Sequence, residues 1–121
     1  MSFINLSNHP SQTWGKEQTA AALRYGKIVD YPFPDVNPYA SAEDVEALAE
    51  QVTGEIMKLS PVAVMCQGEF SLTYALVRMF RERGICVLSA CSERHVLEDT
   101  MPDGKNLRTS IFEFVQFREY R

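Results

Sequence analysis

Residues 62–88 read VAVMCQGEFSLTYALVRMFRERGICVL. Two short apolar runs, Val62–Met65 and Ile85–Leu88, enclose a segment in which Leu72, Ala75, Leu76, Met79 and Phe80 recur at helical spacing. Arg78, Arg81 and Arg83 fall on its other side, and Gly84 stops it. A short continuous apolar run suits a strand covered on both faces, and spacings of three and four suit a helix with one buried stripe. Strand, helix and strand in this order make two parallel strands joined by a right-handed crossover.

The same unit repeats toward the N-terminus. Ser41-Ala42-Glu43-Asp44 opens a helix, with Ser41 able to cap a free amide and two acids at the positive end of the helix dipole. Val45, Leu48, Ala49, Val52, Ile56 and Leu59 form its buried stripe, and Pro61 ends it. Pro32, Pro34 and Pro38 make the preceding stretch a loop, because each removes a backbone donor. Before it come a short strand, Lys27–Tyr31, and a helix from Trp14 to Tyr25 with Ser11 or Thr13 as its cap and Gly26 as its stop. Phe3–Leu6 is the first strand.

Toward the C-terminus the pattern changes. The fourth strand leaves through a polar loop, Ser89–Glu93. Arg94–Asp99 and Leu107–Phe117 then flank Asp103-Gly104, a hairpin turn signal. Strict alternation points Ile111, Val115 and Phe117 one way and Phe112 and Phe114 the other. Apolar side chains on both faces of a terminal strand require either burial or a partner subunit. The expected fold is therefore α/β, a Rossmann-like three-layer sandwich with about five mostly parallel strands in the order 2-1-3-4-5. An antiparallel hairpin strand closes its C-terminal edge, and residues 1–121 form a single domain.

Composition narrows the function. Twelve basic against sixteen acidic side chains give a net charge of −4, which argues against long DNA or RNA. No apolar run approaches the roughly 18 residues that cross a bilayer, and Met1–Leu6 lacks the basic and apolar regions of a secretory signal, so a cytoplasmic protein without membrane contact is expected. Cys66, Cys86 and Cys91 are too far apart for a C-x-x-C motif and read as reduced, mostly buried thiols. A thiol paired with His9 or His95 is the competing reading. There is no Walker loop, dinucleotide fingerprint, nucleophile elbow or zinc pattern, and no cofactor or metal is expected.

In a sheet of this order, ligands bind beyond the carboxyl ends of the strands where the order reverses, between the first and third strands. Three polar segments should meet there: Ser7-Asn8-His9, Gln67-Gly68-Glu69 and Ser92-Glu93-Arg94-His95. Each residue has two readings. Asn8 and Ser11 either cap the first helix or touch a ligand. His9 is either an exposed loop residue or a proton-transfer group, histidine being the side chain that changes charge near neutrality. Gly68 either makes a tight turn or admits a ligand to backbone amides. Glu69, Ser71 and Thr73 suit the first turn of a helix as well as a site. Arg94 and His95 suit a solvated hairpin, and Trp14 suits helix packing better than base stacking.

The first strand running into N-L-S-N-H-P-S at residues 5–11, with Q-G-E-F-S-L-T-Y-A-L-V at 67–77, C-V-L-S-A-C-S-E-R at 86–94 and F-V-Q-F-R-E-Y at 114–120, resembles small CRISPR-associated proteins with a minimal CARF-like domain. That group includes ring nucleases, which degrade the cyclic oligoadenylate messengers of type III CRISPR defence. The resemblance implies a homodimer that binds such a ring, or another small nucleotide, across its two-fold axis and cleaves it without metal. It implies Ser7, Asn8 and His9 at the phosphate and ribose, with His9 as acid–base. Gln67, Gly68 and Glu69 would then meet ribose or adenine, Ser92 and Arg94 would support the phosphate, and Ser11 and Ser71 would join the ligand shell. Glu69 and Glu93 depart from a phosphate-friendly pattern. A binding-only sensor and an interaction module acting through the C-terminal strand are the alternatives.

Overall fold

Apolar strands and amphipathic helices must cover one another, and in the computed structural model, which describes Met1–Arg121, they do so around one five-stranded sheet. The strands are β1 (Ser2–Ser7), β2 (Lys27–Pro32), β3 (Pro61–Cys66), β4 (Cys86–Thr100) and β5 (Asn106–Glu119). The helices are α1 (Lys16–Leu23), α2 (Ala42–Met57) and α3 (Phe70–Glu82). Strand order is β2-β1-β3-β4-β5, with every pair parallel except β4–β5. The fold is the Rossmann-like α/β sandwich read from the sequence.

Successive side chains of a strand face opposite layers. Ile4, Leu6, Val64, Cys66 and Val87 therefore join the apolar stripes of α2 and α3 in the larger core, while Phe3, Ala63, Met65 and Leu88 meet Ala22 of α1 in the smaller one. Each large apolar side chain so buried stabilises the fold by roughly 1.5–3 kcal/mol. Ser41 and Asp44 close a reciprocal capping box on α2, as the sequence suggested for Ser41.

Five details depart from the sequence reading, each for a local reason. Helix α1 starts at Lys16 behind Gly15, and neither Ser11 nor Thr13 caps it. Residues Ser11–Thr13 form a separate 3-10 turn, in which the Thr13 hydroxyl donates to the Pro10 carbonyl. Helix α2 ends at Met57, so Leu59 lies outside the helix and Pro61 opens β3 rather than stopping the helix. Pro32 is the last residue of β2, tolerated because β2 is an edge strand.

The fourth correction concerns residues 89–93. They are not a loop: β4 runs unbroken to Thr100, because an antiparallel ladder with β5 pairs its backbone from Leu88 onward. The fifth concerns the last strand. Cys91 pairs with Gln116 but Ser92 pairs with Phe114, so Val115 is a bulge residue that reverses the alternation. The Phe114 and Phe117 rings consequently share a face, with centroids 5.0 Å apart. Beyond the bulge the two strands continue as a ribbon to a turn in which Gly104 adopts a left-handed φ of 86°.

Candidate functional site

The site begins with a polar residue inside an apolar strand. Asn5 is 1% exposed, and a buried amide needs every hydrogen-bonding group met. Its Nδ2 donates to the His9 carbonyl at 2.8 Å and to the Asp30 carboxylate at 3.0 Å, while its Oδ1 accepts from the Ser7 hydroxyl at 2.6 Å. The Ser7 oxygen in turn accepts from the His9 amide at 3.2 Å, and Asp30 accepts from the Ser11 amide at 3.2 Å. Three side chains on two strands, Asn5, Ser7 and Asp30, thus hold the turn backbone at His9 and Ser11. The ring itself is exposed and unbonded within the chain.

Gln67 follows β3 where β3 and β4 stop pairing; their last paired residues are Met65 and Leu88. Its amide donates to the Leu6 carbonyl at 3.1 Å, and its Oε1 accepts from the Ala90 amide at 2.7 Å. The side chain bridges the gap between the diverging strands, leaving its Nε2 donor free.

Two clefts open on either side of this His9–Gln67 ridge, and both residues line both. The larger, about 690 Å³, lies on the α1 face between Trp14, Gln18, Ser92 and Phe112, with Ser7 at its floor. The smaller, about 330 Å³, lies on the α3 face, where Asn8, Gly68, Phe70, Thr73 and Tyr120 surround it. Tyr120 is held by its hydroxyl, which donates to the Cys66 carbonyl at 2.9 Å. The crevice sits at the β1–β3 reversal, the position expected for this strand order. Residues 1–118 match the family model described as the uncharacterized protein MJ1673 family. The chain belongs to this family. No curated protein and no solved structure matches it. The family span contains the whole sheet but its final residue, Glu119, and every cleft residue named above except Tyr120.

Within the family domain, the residues singled out from sequence divide into two groups. Ser7, Asn8, His9, Gln67, Gly68 and Ser92 come together at the crevice. Ser11, Glu69, Ser71 and Arg94 do not line it. The Glu69 carboxylate caps α3, accepting from the Ser71 hydroxyl at 2.7 Å and from the amides of Ser71 and Leu72 at 2.9 Å each. The Ser71 hydroxyl foremost, then the Leu72 and Ser71 amides, hold this carboxyl below its ordinary range. Its charge is directed into its own helix, so Glu69 is a cap at its own helix rather than a repulsive neighbour facing a ligand. Arg94 lies two residues past Ser92 on the same ribbon face, with its guanidinium on the Ser110 hydroxyl at 3.0 and 3.2 Å.

Gly68 has a packing reason for being glycine. A Cβ there would lie 2.5 Å from the buried Phe33 ring. Burial pushes the Cys66 thiol up to about 12 and raises Cys86 as well, with Glu119 adding to the latter, so neither is a ready thiolate. His95 lines neither cleft; its ring lies 3.2 Å from Glu113, a residue of the larger cleft, and 3.9 Å from Glu93. No group of three His, Cys, Asp or Glu side chains is arranged to hold a metal ion. Neither cleft is lined by lysine or arginine.

Asn5, Asp30 and Tyr120 were missed from sequence, whereas Thr73 reads there as a helix cap or a ligand contact. Asn5 carried a signal, since an amide amid Phe3, Ile4 and Leu6 is a buried polar group in waiting. Asp30 carried none, because its partners lie on another strand.

Proposed function

We propose that this protein binds a cyclic oligoadenylate in the crevice at the β1–β3 reversal and cleaves it without metal, as a CARF-like ring nuclease of type III CRISPR defence acting in the cytoplasm. One observation carries the reading: an exposed, unbonded imidazole stands on a turn whose backbone is held at the His9 carbonyl, the His9 amide and the Ser11 amide, between two clefts that offer several neutral donors, the larger also lined by Glu17 and Glu113. Ring cleavage asks little more of a protein. The ribose 2′ oxygen attacks the adjacent phosphorus, the bond from phosphorus to the 5′ oxygen breaks, and a 2′,3′-cyclic phosphate remains. His9 takes the 2′ proton and returns a proton to the departing 5′ oxygen. Because the nucleophile is tethered to its target, holding the three atoms in line is the main contribution.

Asn8 and the free Gln67 Nε2 donate to the non-bridging phosphate oxygens as charge develops there. Ser92 closes the larger cleft, and Arg94, two residues further along β4 with its guanidinium engaged only by the Ser110 hydroxyl, supplies a cation to the phosphate. The partner is a second copy of the chain. The ribbon beyond Cys91 exposes Leu97, Leu107, Ile111, Phe112 and Val115 at 47–69%, more apolar surface than an isolated two-stranded ribbon sustains in water.

Incubating the protein with cyclic tetra- and hexa-adenylate in EDTA tests the reading. Linear products ending in a 2′,3′-cyclic phosphate are expected, and His9→Ala should bind the ring but not open it. Thermal stabilisation without products would leave a sensor, and neither effect would remove the nucleotide reading.

A further inference from the structure

Helix α3 begins with an aromatic ring that the fold does not use. Phe70 is 91% exposed, and Tyr74, one turn later on the same helical face, is 72% exposed. Isolated exposed apolar residues are ordinary, but Phe70 forms a wall shared by two concavities of opposite character. On one side is the smaller cleft, with Asn8, His9, Gln67, Thr73 and Tyr120. On the other is a groove of about 620 Å³ between α2 and α3, lined mainly by apolar groups including Ala42, Val45, Tyr74 and Ala75. A polar cleft and an apolar groove meeting at one exposed ring suit a ligand that is itself polar at one end and flat and apolar at the other.

A second observation points into the same cleft. The Thr73 hydroxyl is shielded from solvent and has no hydrogen-bond partner in the chain. A shielded hydroxyl without a partner is costly, and a ligand acceptor in the cleft would relieve it. Nothing about α3 itself requires either feature, since Glu69 already caps the helix.

We infer that Phe70 is the stacking platform for a nucleobase, with Tyr74 extending it and the Thr73 hydroxyl donating to the attached ribose or phosphate. The inference rests on the proposed nucleotide site and adds its base-binding half, on the α3 side rather than at Trp14. Trp14 is already engaged edge-on with Phe3, their centroids 6.2 Å apart.

The test measures affinity for cyclic tetra-adenylate and for adenosine 5′-monophosphate by calorimetry, on the intact protein and on Phe70→Ala, Phe70→Tyr, Thr73→Val and Thr73→Ser. Phe70 is exposed, so unchanged thermal midpoints should verify that its variants fold. Loss of one base–aromatic stack should weaken binding about tenfold or more in Phe70→Ala, while Phe70→Tyr keeps it. Thr73→Val should weaken binding several-fold, with Thr73→Ser restoring it. Full-affinity binding by both Phe70→Ala and Thr73→Val would overturn this inference and leave the proposed function standing. Failure of the unaltered protein to bind either nucleotide would overturn both.

Discussion

Two neighbouring regions, the turn that ends β1 and the ribbon that continues β4, are built on opposite principles. At the end of β1, Asn5, Ser7, Asp30 and the His9 backbone satisfy one another in a short, partly buried network. In the β4–β5 ribbon the backbone is paired from Leu88 to Thr100, yet most side chains past Cys91 face water, joined only by surface contacts such as Glu98–Arg108 at 3.6 Å. A network of buried polar groups holds a geometry, because any displacement leaves a donor or acceptor unmet. An exposed ribbon holds only its own register and offers its side chains to something else. Rigidity resides at the crevice, and adaptability resides in the arm beside it.

Removing the hub of the rigid region should do the most damage. Asn5→Leu removes the Nδ2 donor that the Asp30 carboxylate and the His9 carbonyl share and the acceptor of the Ser7 hydroxyl, and should lower stability by about 2–4 kcal/mol. It should also abolish ring cleavage even where the protein remains folded, which a denaturant titration paired with an activity assay would reveal. If Asn5→Leu kept full activity, the clamp on His9 would be irrelevant to function.

A smaller effect is expected one step outward, at the α3 cap. Glu69→Ala should cost about 1 kcal/mol or less, since the capping carboxylate is solvent-exposed and screened. Its pH dependence has a definite sign. The folded-state value is depressed, so the contribution is present above the unfolded carboxylate range and disappears as pH falls through the lower folded value. The stability difference between Glu69→Ala and the unaltered protein should therefore shrink on acidification, measured by thermal melts from neutral to strongly acidic pH.

The ribbon should respond least in stability and most in association. Leu97→Ser together with Ile111→Ser should change the monomer's stability by no more than about 0.5 kcal/mol. The same pair should shift the oligomer toward monomer in analytical ultracentrifugation. A large loss of stability at low protein concentration would mean that the ribbon is folded into the core, and the contrast between the two regions would collapse.

Much of this architecture was legible in residue order. The stripes of α2 and α3, the buried runs of β3 and β4, the strand order and the Asp103-Gly104 turn all follow from local pattern. The continuation of β4 was not legible, because Ser92, Glu93 and Arg94 are strand residues only through their ladder with Phe114, Glu113 and Phe112. The Val115 bulge has the same origin. At the site, the turn after β1 and the turn after β3 could be read from their positions at strand ends. The roles of Glu69 and Ser71 could not, since a helix cap and a ligand contact use the same residue types at the same place.

Amide chemical-shift mapping during a titration with cyclic tetra-adenylate addresses the shared crevice most directly. Concerted shifts at His9, Gln67, Phe70 and Ser92, residues from three separate segments, are expected, with Val96–Arg108 on the outer ribbon unmoved at equal protein concentration. Shifts confined to the outer ribbon, or scattered without His9 and Gln67, would contradict a ligand site at the β1–β3 reversal.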